Sequence, residues 1–419
     1  MTESMDYGVV ALVGNPTSDK GRGAAVGERV RGLLVEAGER YGFDVIDLTG
    51  DSFDDSLANA REHIDDYDYL VVVGGDGMIA LGANAIEDSG KPLGIVATGS
   101  GNDFARGLKL PVNRVDTAVE GIVGAIVRGS HVDVDMGHVT ALPGAVATDP
   151  TTGEEIDAGT PGAEDTGRNT GGDAGGEAGE DADGDSGAGA PSGAVFAELA
   201  GSGAPAADCP AFDRYYAGML SCGLDASIND RANHSRLPCG SLRYFVAVLV
   251  EVTHLKRYGY HVKATLADGS VEERDIVSPM LTVANSRHIG GGLEVSPYSR
   301  FDDGLLDLIW IDHMPNALEI ADAISKGYNG KLLGSKVFGW KRVRDIVITR
   351  AGEGDEPPVL MADGEYIGRM PVAVTACDRA LRVLVPPAVS RVQEREHGES
   401  RVLAMLRRDD RDPITGAFV

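Results

Sequence analysis

Cysteine is scarce in this chain of 419 residues: Cys209, Cys222, Cys239 and Cys377 are its whole complement, and no two form a C-x-x-C pair. A disulfide scaffold and a cysteine zinc site are therefore not expected. Long apolar runs are missing as well. No stretch reaches the roughly eighteen residues that span a bilayer, and the opening Met1-Thr2-Glu3-Ser4-Met5-Asp6 is acidic. Neither a membrane anchor nor a secretory signal is predicted, so the expectation is a cytoplasmic protein whose membrane contact, where there is any, is peripheral. Positive charge is also in short supply, with 38 Lys and Arg against 65 Asp and Glu and a net charge of −27. That balance argues against nucleic-acid binding. Two common nucleotide fingerprints are absent too: there is no G-x-x-x-x-G-K-[ST], and no Gly-x-Gly-x-x-Gly follows the first strand. Walker-type NTPases and ordinary dinucleotide folds are thereby left out.

The negative charge is unevenly placed. Residues 149 to 208 hold fourteen Asp or Glu against Arg168 alone, with almost no large apolar residue before Val195. Such a piece cannot bury enough surface to fold, and a disordered acidic insertion over about 145–210 is predicted. Setting aside its net −13 leaves −14 for the rest of the chain. One segment reverses the sign. Lys326, Lys331, Lys336, Lys341, Arg342 and Arg344 occur without an acid among Leu332, Leu333, Val337, Phe338 and Trp340. Residues 326–344 thus fit either an edge resting on anionic lipid headgroups or a solvated basic face over an ordinary core contact.

What the chain does have is glycine after apolar strands. Tyr69-Leu70-Val71-Val72-Val73 runs into Gly74-Gly75-Asp76-Gly77-Met78, and Leu93 to Ala97 leads to Gly99-Ser100-Gly101-Asn102-Asp103. Residues without a Cβ let backbone N–H groups approach an anion closely, which is how parallel α/β folds hold phosphate. An acid within such a loop suggests a divalent cation or a sugar hydroxyl as partner. A third loop, Gly14-Asn15-Pro16-Thr17-Ser18-Asp19-Lys20-Gly21-Arg22-Gly23, follows the strand Val9–Val13 and offers another anion cradle. Taken alone, Asp76-Gly77 fits a tight turn equally well, and Asp363-Gly364-Glu365 reads as a hairpin turn.

In order, Asn15-Pro16-Thr17-Ser18, Gly74-Gly75-Asp76-Gly77, Gly99-Ser100-Gly101-Asn102-Asp103-Phe104-Ala105-Arg106, Asp303-Gly304-Leu305-Leu306-Asp307 and Asp363-Gly364-Glu365 resemble the diacylglycerol kinase catalytic domain family, to which sphingosine kinases are similar. The likeness spans about residues 8 to 388. It implies an ATP- and Mg²⁺-dependent lipid kinase, with diacylglycerol as the first choice of acceptor. ATP contacts would come from Asn15, Pro16, Thr17, Ser18, Thr49, Gly75, Asp76, Gly77, Ser100 and Asn102. A catalytic magnesium network would use Asp76, Asp103 and Asp135, and Glu365 would be the general base. A separate structural magnesium would take the Asp303 carboxylate with the Arg300 and Leu305 carbonyls. The sequence departs from the family at Met78, Ala80 and Asp19, where Thr, Asn and Gly are usual. A hydroxyl and an amide near the nucleotide are lost, and a negative charge is added beside phosphate. A kinase for another acceptor (a sphingoid base, polyprenol, glycolipid or soluble alcohol) and a weakly active nucleotide-binding regulator are the alternatives. A homodimer is compatible with all of these.

Alternating strand and helix patterns over 1–135 predict a parallel-sheet α/β nucleotide-binding domain. Strand-rich patterning over 136–379 predicts a second domain, by family likeness an antiparallel β sandwich. Residues 380–388 should return to the first domain, leaving a charged tail at 389–419, and the active site should lie in the cleft between the domains. Gly290-Gly291-Gly292 reads as a loop in that cleft or as a plain strand connection, and His288 has no role assigned.

Overall fold

A computed structural model describes residues 6–15, 18–156, 211–235, 237, 240–389 and 398–419. The expected acidic insertion falls mostly on 157–210, outside the described residues. In the first half, strands β1 (Val9–Gly14), β2 (Asp44–Asp47), β3 (Tyr69–Gly74) and β4 (Leu93–Ala97) alternate with helices α1 (Ser18–Tyr41), α2 (Phe53–Glu62), α3 (Asp76–Ala85), α4 (Asp103–Gly107) and α5 (Val115–Arg128). The strands pair in parallel in the order β2-β1-β3-β4. Their near-continuous Val, Ile and Leu content follows from burial on both faces, since helices cover each side.

The second half is antiparallel. It consists of β5 (His131–Ala141), β6 (Val146–Ala147), β7 (Asp213–Tyr216), β8 (Met219–Ser221), β9 (Tyr258–Leu266), β10 (Val271–Ser278), β11 (Leu281–Ala284), β12 (His288–Ile289), β13 (Leu293–Glu294), β14 (Leu306–Ile311), β15 (Phe338–Arg350), β16 (Leu360–Ala362), β17 (Glu365–Arg369) and β18 (Val372–Leu384). Helices α6 (Leu224–Asn233), α7 (Gly240–Glu251), α8 (Ala317–Gly327) and α9 (Glu399–Arg408) accompany these strands. A sandwich core of Val262, Leu281, Val283, Leu308, Ile346 and Val374 fills the space between the sheets.

Two long strands belong to both halves. β18 pairs with β15 at Val372–Thr375, and its far end lies parallel to β4 through Val383 and Leu93. β5 pairs with β18 along this whole length, from Val372–Ala141 to Leu384–His131, with a bulge between Cys377 and Leu381. The boundary placed at 135/136 therefore falls inside one strand, and the ribbon β5–β18 is the joint itself.

Asp135 sits on this ribbon, fully buried. Its carboxylate accepts N–H groups from Arg379 (2.8 Å), Asp303 (2.8 Å) and Gly304 (2.7 Å). The first donor lies in the bulge and the other two in the loop before β14, so one side chain holds both turns. Burial raises its pKa, while the Arg379, Gly304 and Asp303 N–H groups oppose that. Asp135 was expected in a magnesium network. Its carboxylate is held by these backbone donors, and it does not line the cleft described below.

The apolar residues of the basic segment 326–344 make the core contact of its second reading. Leu332, Leu333, Val337, Phe338 and Trp340 are buried, in a cluster completed by Val402 and Leu406 of α9. Arg411 of the tail donates to the carbonyls of Leu333 and Phe338. No large apolar side chain of that segment faces outward to meet a bilayer except Tyr328.

Replacing Asp135 with Ala would orphan three backbone N–H groups, one buried and two part-buried, and a loss of roughly 2–4 kcal/mol is expected. Chemical denaturation with and without Mg²⁺ checks this: the deficit should be the same in both, whereas a metal ligand would show it only with the ion.

Candidate functional site

The glycine loops meet at the carboxyl ends of β3 and β4, as parallel sheets dictate. The N–H groups of Thr98 and Gly99 both donate to the Gly74 carbonyl, at 2.8 and 3.2 Å, so the loops are tied to each other. Side chains at Gly75 or Gly99 would collide across this contact, because each faces the other's Cα. Asp76 begins α3, and its carboxylate accepts the N–H groups of Asp103 and Phe104, both at 3.1 Å, at the start of α4. Two helix N-termini thus converge on one acid.

The opposite wall comes from the second domain. Asp363 and Gly364 both have positive φ, 51° and 89°, in a two-residue hairpin joining β16 to β17, as a type I′ turn requires. The hairpin reading of this sequence and the functional one coexist. Asp363 accepts N–H groups from Ala217 (2.7 Å), Gly218 (2.7 Å) and Met219 (3.0 Å), which fixes the turn. Glu365 then projects over α3: a Cβ placed on Gly77 would lie 2.7 Å from Glu365 Oε1. Burial raises the Glu365 carboxyl to about 7, with Arg214 partly opposing.

Between these walls is a cleft of about 590 Å³. It is lined by Asn15, Gly75, Asp76, Gly77, Ser100, Asp103 and Glu365, all predicted from sequence, and by Arg243, Tyr244, His288, Asn229 and Asn233, which were not. The last two stand four apart on one face of α6, a spacing visible in the sequence. Asn233 donates to the Gly364 carbonyl at 3.0 Å. The triple glycine takes the first of its two readings, since Gly290 lines the cleft and Gly291 N–H donates to Asp103 at 2.8 Å. Burial presses His288 down to about 4, with Lys109, Arg287 and Arg106 adding to the effect, so it is a neutral imidazole at neutral pH.

Several predicted contacts fall elsewhere. Thr49 Oγ1 accepts the Gly14 N–H at 2.9 Å and braces the first loop without lining the cleft. Asn102, fully buried with φ of 56°, accepts from Gly99 N–H at 2.8 Å and donates to its carbonyl. It shapes the loop from within. Pro16 and Thr17 lie outside the described residues, as does the Ser18 side chain. Met78 is buried beneath the loop, filling space left by Gly74. Ala80 lines a small cavity of about 20 Å³ beside Arg214 and Glu365.

The two proposed metal sites differ in fit. Asp76 and Asp103 are close enough that a Cβ on Gly101 would lie 2.9 and 3.2 Å from their Oδ2 atoms. Asp103 Oδ1 is buried with no hydrogen-bond partner among the described residues. Burial first, then the neighbouring Asp76, raises Asp103 to about 7. Two adjacent carboxylates with a spare buried oxygen suit a divalent cation. The set Arg300, Asp303 and Leu305 does not. The Asp303 carboxylate has the Arg342 guanidinium at 3.7 Å and that of Arg300 at 3.9 Å, charges that a bound cation would have to displace. No group of three or more His, Cys, Asp or Glu among the described residues is placed to hold a metal.

The comparisons agree with this architecture. Residues 9–139 match the diacylglycerol kinase catalytic domain, and residues 218–385 match the YegS C-terminal NAD kinase beta sandwich-like domain. The chain is similar to a diacylglycerol kinase of Mycobacterium tuberculosis, 25% identical over 91% of this chain and 96% of that protein. It is 19% identical to one of Bacillus subtilis over 90% and 95% of the two. A crystal structure of a diacylglycerol kinase from Bacillus anthracis aligns with a TM-score of 0.52 at 16% identity, covering 91% of this chain and 98% of that one, and shows the shared fold. The chain is an enzyme of the lipid kinase class. It belongs to the diacylglycerol kinase family, and membership in a kinase family implies use of ATP.

Gly99→Ala would force apart two loops that touch backbone to backbone, so nucleotide affinity should fall at least about tenfold while the fold persists. Calorimetric titration with a nonhydrolysable ATP analogue, alongside thermal melting, checks this.

Proposed function

We propose that the cleft transfers the γ-phosphoryl group of ATP to a lipid hydroxyl, diacylglycerol in the first instance, with Glu365 as the general base. The observation that carries this reading is the position of Glu365 against Gly77, which sets a carboxylate directly over the start of the phosphate-loop helix. The names of the relatives, diacylglycerol kinases at 25% and 19% identity over nearly the full chain, support the acceptor.

Asn15, the Gly75 and Gly77 backbone, and Ser100 would hold the nucleotide phosphates, joined by Pro16, Thr17 and Ser18 of the first loop. Magnesium, held by Asp76 and Asp103, would neutralise charge on the transferred group. The acceptor hydroxyl gives its proton to Glu365 as its oxygen bonds to the γ-phosphorus. The bond to the β-phosphate oxygen breaks in the same displacement, and ADP leaves. A carboxylate that titrates near 7 is a better base than an ordinary glutamate and is still about half ionised at neutral pH. Asp363 would position the base by fixing the hairpin, and Asn233 would steady the Gly364 peptide. Because ATP is the donor, the reaction belongs on the cytoplasmic side of a membrane.

Labelled diacylglycerol in mixed micelles with ATP and Mg²⁺ should be converted to phosphatidic acid. Turnover of sphingoid bases, polyprenols, glycolipids or soluble alcohols with none of diacylglycerol would replace the acceptor. No turnover on any of these, together with thermal stabilisation by nucleotide, would make the protein a regulator.

Glu365→Gln should lower kcat by roughly 10²–10⁴-fold and leave nucleotide affinity nearly unchanged. Loss of nucleotide binding instead would remove the base assignment.

The wild-type kcat/KM should rise with pH and level off above about 7, because only the ionised Glu365 accepts a proton. The residual rate of Glu365→Gln should lack that step, and a pH–rate profile of both proteins tests it.

A further inference from the structure

Leu242, Phe245, Val246 and Leu249 stand at i, i+3, i+4 and i+7 along α7, a single stripe of a 3.6-residue helix. In a surface helix such a stripe normally faces the core. Here it faces out: the four side chains are 45%, 37%, 37% and 43% exposed. The opposite face carries Tyr244 and Ala247, both buried in the cluster that contains Leu224 and Ile228 of α6. The helix therefore has an apolar side for the core and a second one that no described segment covers.

Charge and location narrow what covers it. Arg243 is the one charged residue from Gly240 to Val250. Glu251 at the helix end is engaged by Arg231, and Lys256 and Arg257 follow, both exposed. A net −27 chain thus shows a locally cationic and apolar strip. The same helix supplies Arg243 and Tyr244 to the cleft wall. Its outer stripe must therefore lie beside whatever delivers the acceptor.

We propose that the α7 stripe docks the enzyme on a lipid bilayer, with Leu242, Phe245, Val246 and Leu249 entering the headgroup boundary and the exposed Lys256 and Arg257 facing anionic headgroups. The proposal rests on the lipid-acceptor reading of the cleft. A diacylglycerol does not leave its bilayer for water, so a cleft that phosphorylates it has to be held against the surface. A second copy of the chain is a poorer occupant, because it carries the same large negative charge. The other candidate surface, 326–344, has its apolar side chains packed in a cluster with Val402 and Leu406.

The test uses the full chain and sedimentation with mixed phosphatidylcholine and phosphatidylglycerol vesicles, without nucleotide. Wild type should sediment with the vesicles, and the double variant Phe245→Glu, Leu249→Glu should bind roughly tenfold less or weaker still. Phe245→Ser, Leu249→Ser should fall between. Both variants should melt cooperatively near the wild-type temperature, since the replaced side chains face solvent. Phosphorylation of a short-chain, water-soluble diacylglycerol should be unchanged in the variants, while turnover in vesicles falls with binding. Wild-type binding by the Glu double variant would overturn the proposal. So would light scattering that shows a wild-type dimer split by these substitutions with vesicle binding unaffected, for then the stripe joins two copies. Failure of the kinase reading is distinct: no lipid would be turned over, yet sedimentation would still separate wild type from variant.

Discussion

The carboxylate of Asp135, buried where β5 crosses from one domain to the other, accepts backbone N–H groups from the β18 bulge and from the loop at Asp303 and Gly304. Its own backbone takes part as well. Asp135 N–H donates to the Phe301 carbonyl, and its carbonyl accepts from Asn285 Nδ2, which also reaches the Ala217 carbonyl. Hydrogen bonds to a charged acceptor are each worth about 1.5–3 kcal/mol, and more is lost when the donors are left buried and unpaired. This junction sets the angle between the parallel sheet and the sandwich. The cleft is the space that angle leaves, and its two walls are useful only at the right separation.

Ala217 begins the segment whose N–H groups hold Asp363, so the Asp135 junction and the Glu365 hairpin are two steps apart. Asp363 had looked like an ordinary turn residue. Its three N–H partners make it the clamp that keeps Glu365 over Gly77. Asp103 provides the link from the first domain to the second, through Gly291. Asp363 fastens a loop of its own domain and Asp103 a loop of the other, both as carboxylate acceptors of backbone N–H groups.

Much of the parallel domain was legible in the residues. Val9–Val13, Tyr69–Val73 and Leu93–Ala97 are short and apolar and run into glycine within two residues, which fits a strand buried on both faces and little else. The helix Val115–Arg128 carries the matching helical periodicity, with Ala118, Val119, Ile122, Val123, Ala125 and Ile126 buried. In the sandwich, β10 and β11 are separated at Pro279, which cannot donate to the ladder. Arg214–Cys222 likewise divides at Ala217-Gly218, because their N–H groups turn to Asp363 instead of to a neighbouring strand.

The sequence by itself determined the local chemistry: which strands are buried, where glycine admits a close backbone, which loops carry acids, and the family these motifs belong to. Those depend on neighbours a few residues apart. Tertiary structure decided what each polar group is used for. Asp76, Asp103, Asp135, Asp303 and Asp363 are the same residue type in similar acidic or glycine-rich settings. Two have carboxylates adjacent in a cleft, two are clamps on backbone N–H groups or ribbons, and one lies between guanidinium groups. For Asp76 and Asp135 the partners come from chain segments 27 to 244 residues distant, and a carboxylate's role follows from which donors and charges reach it after folding.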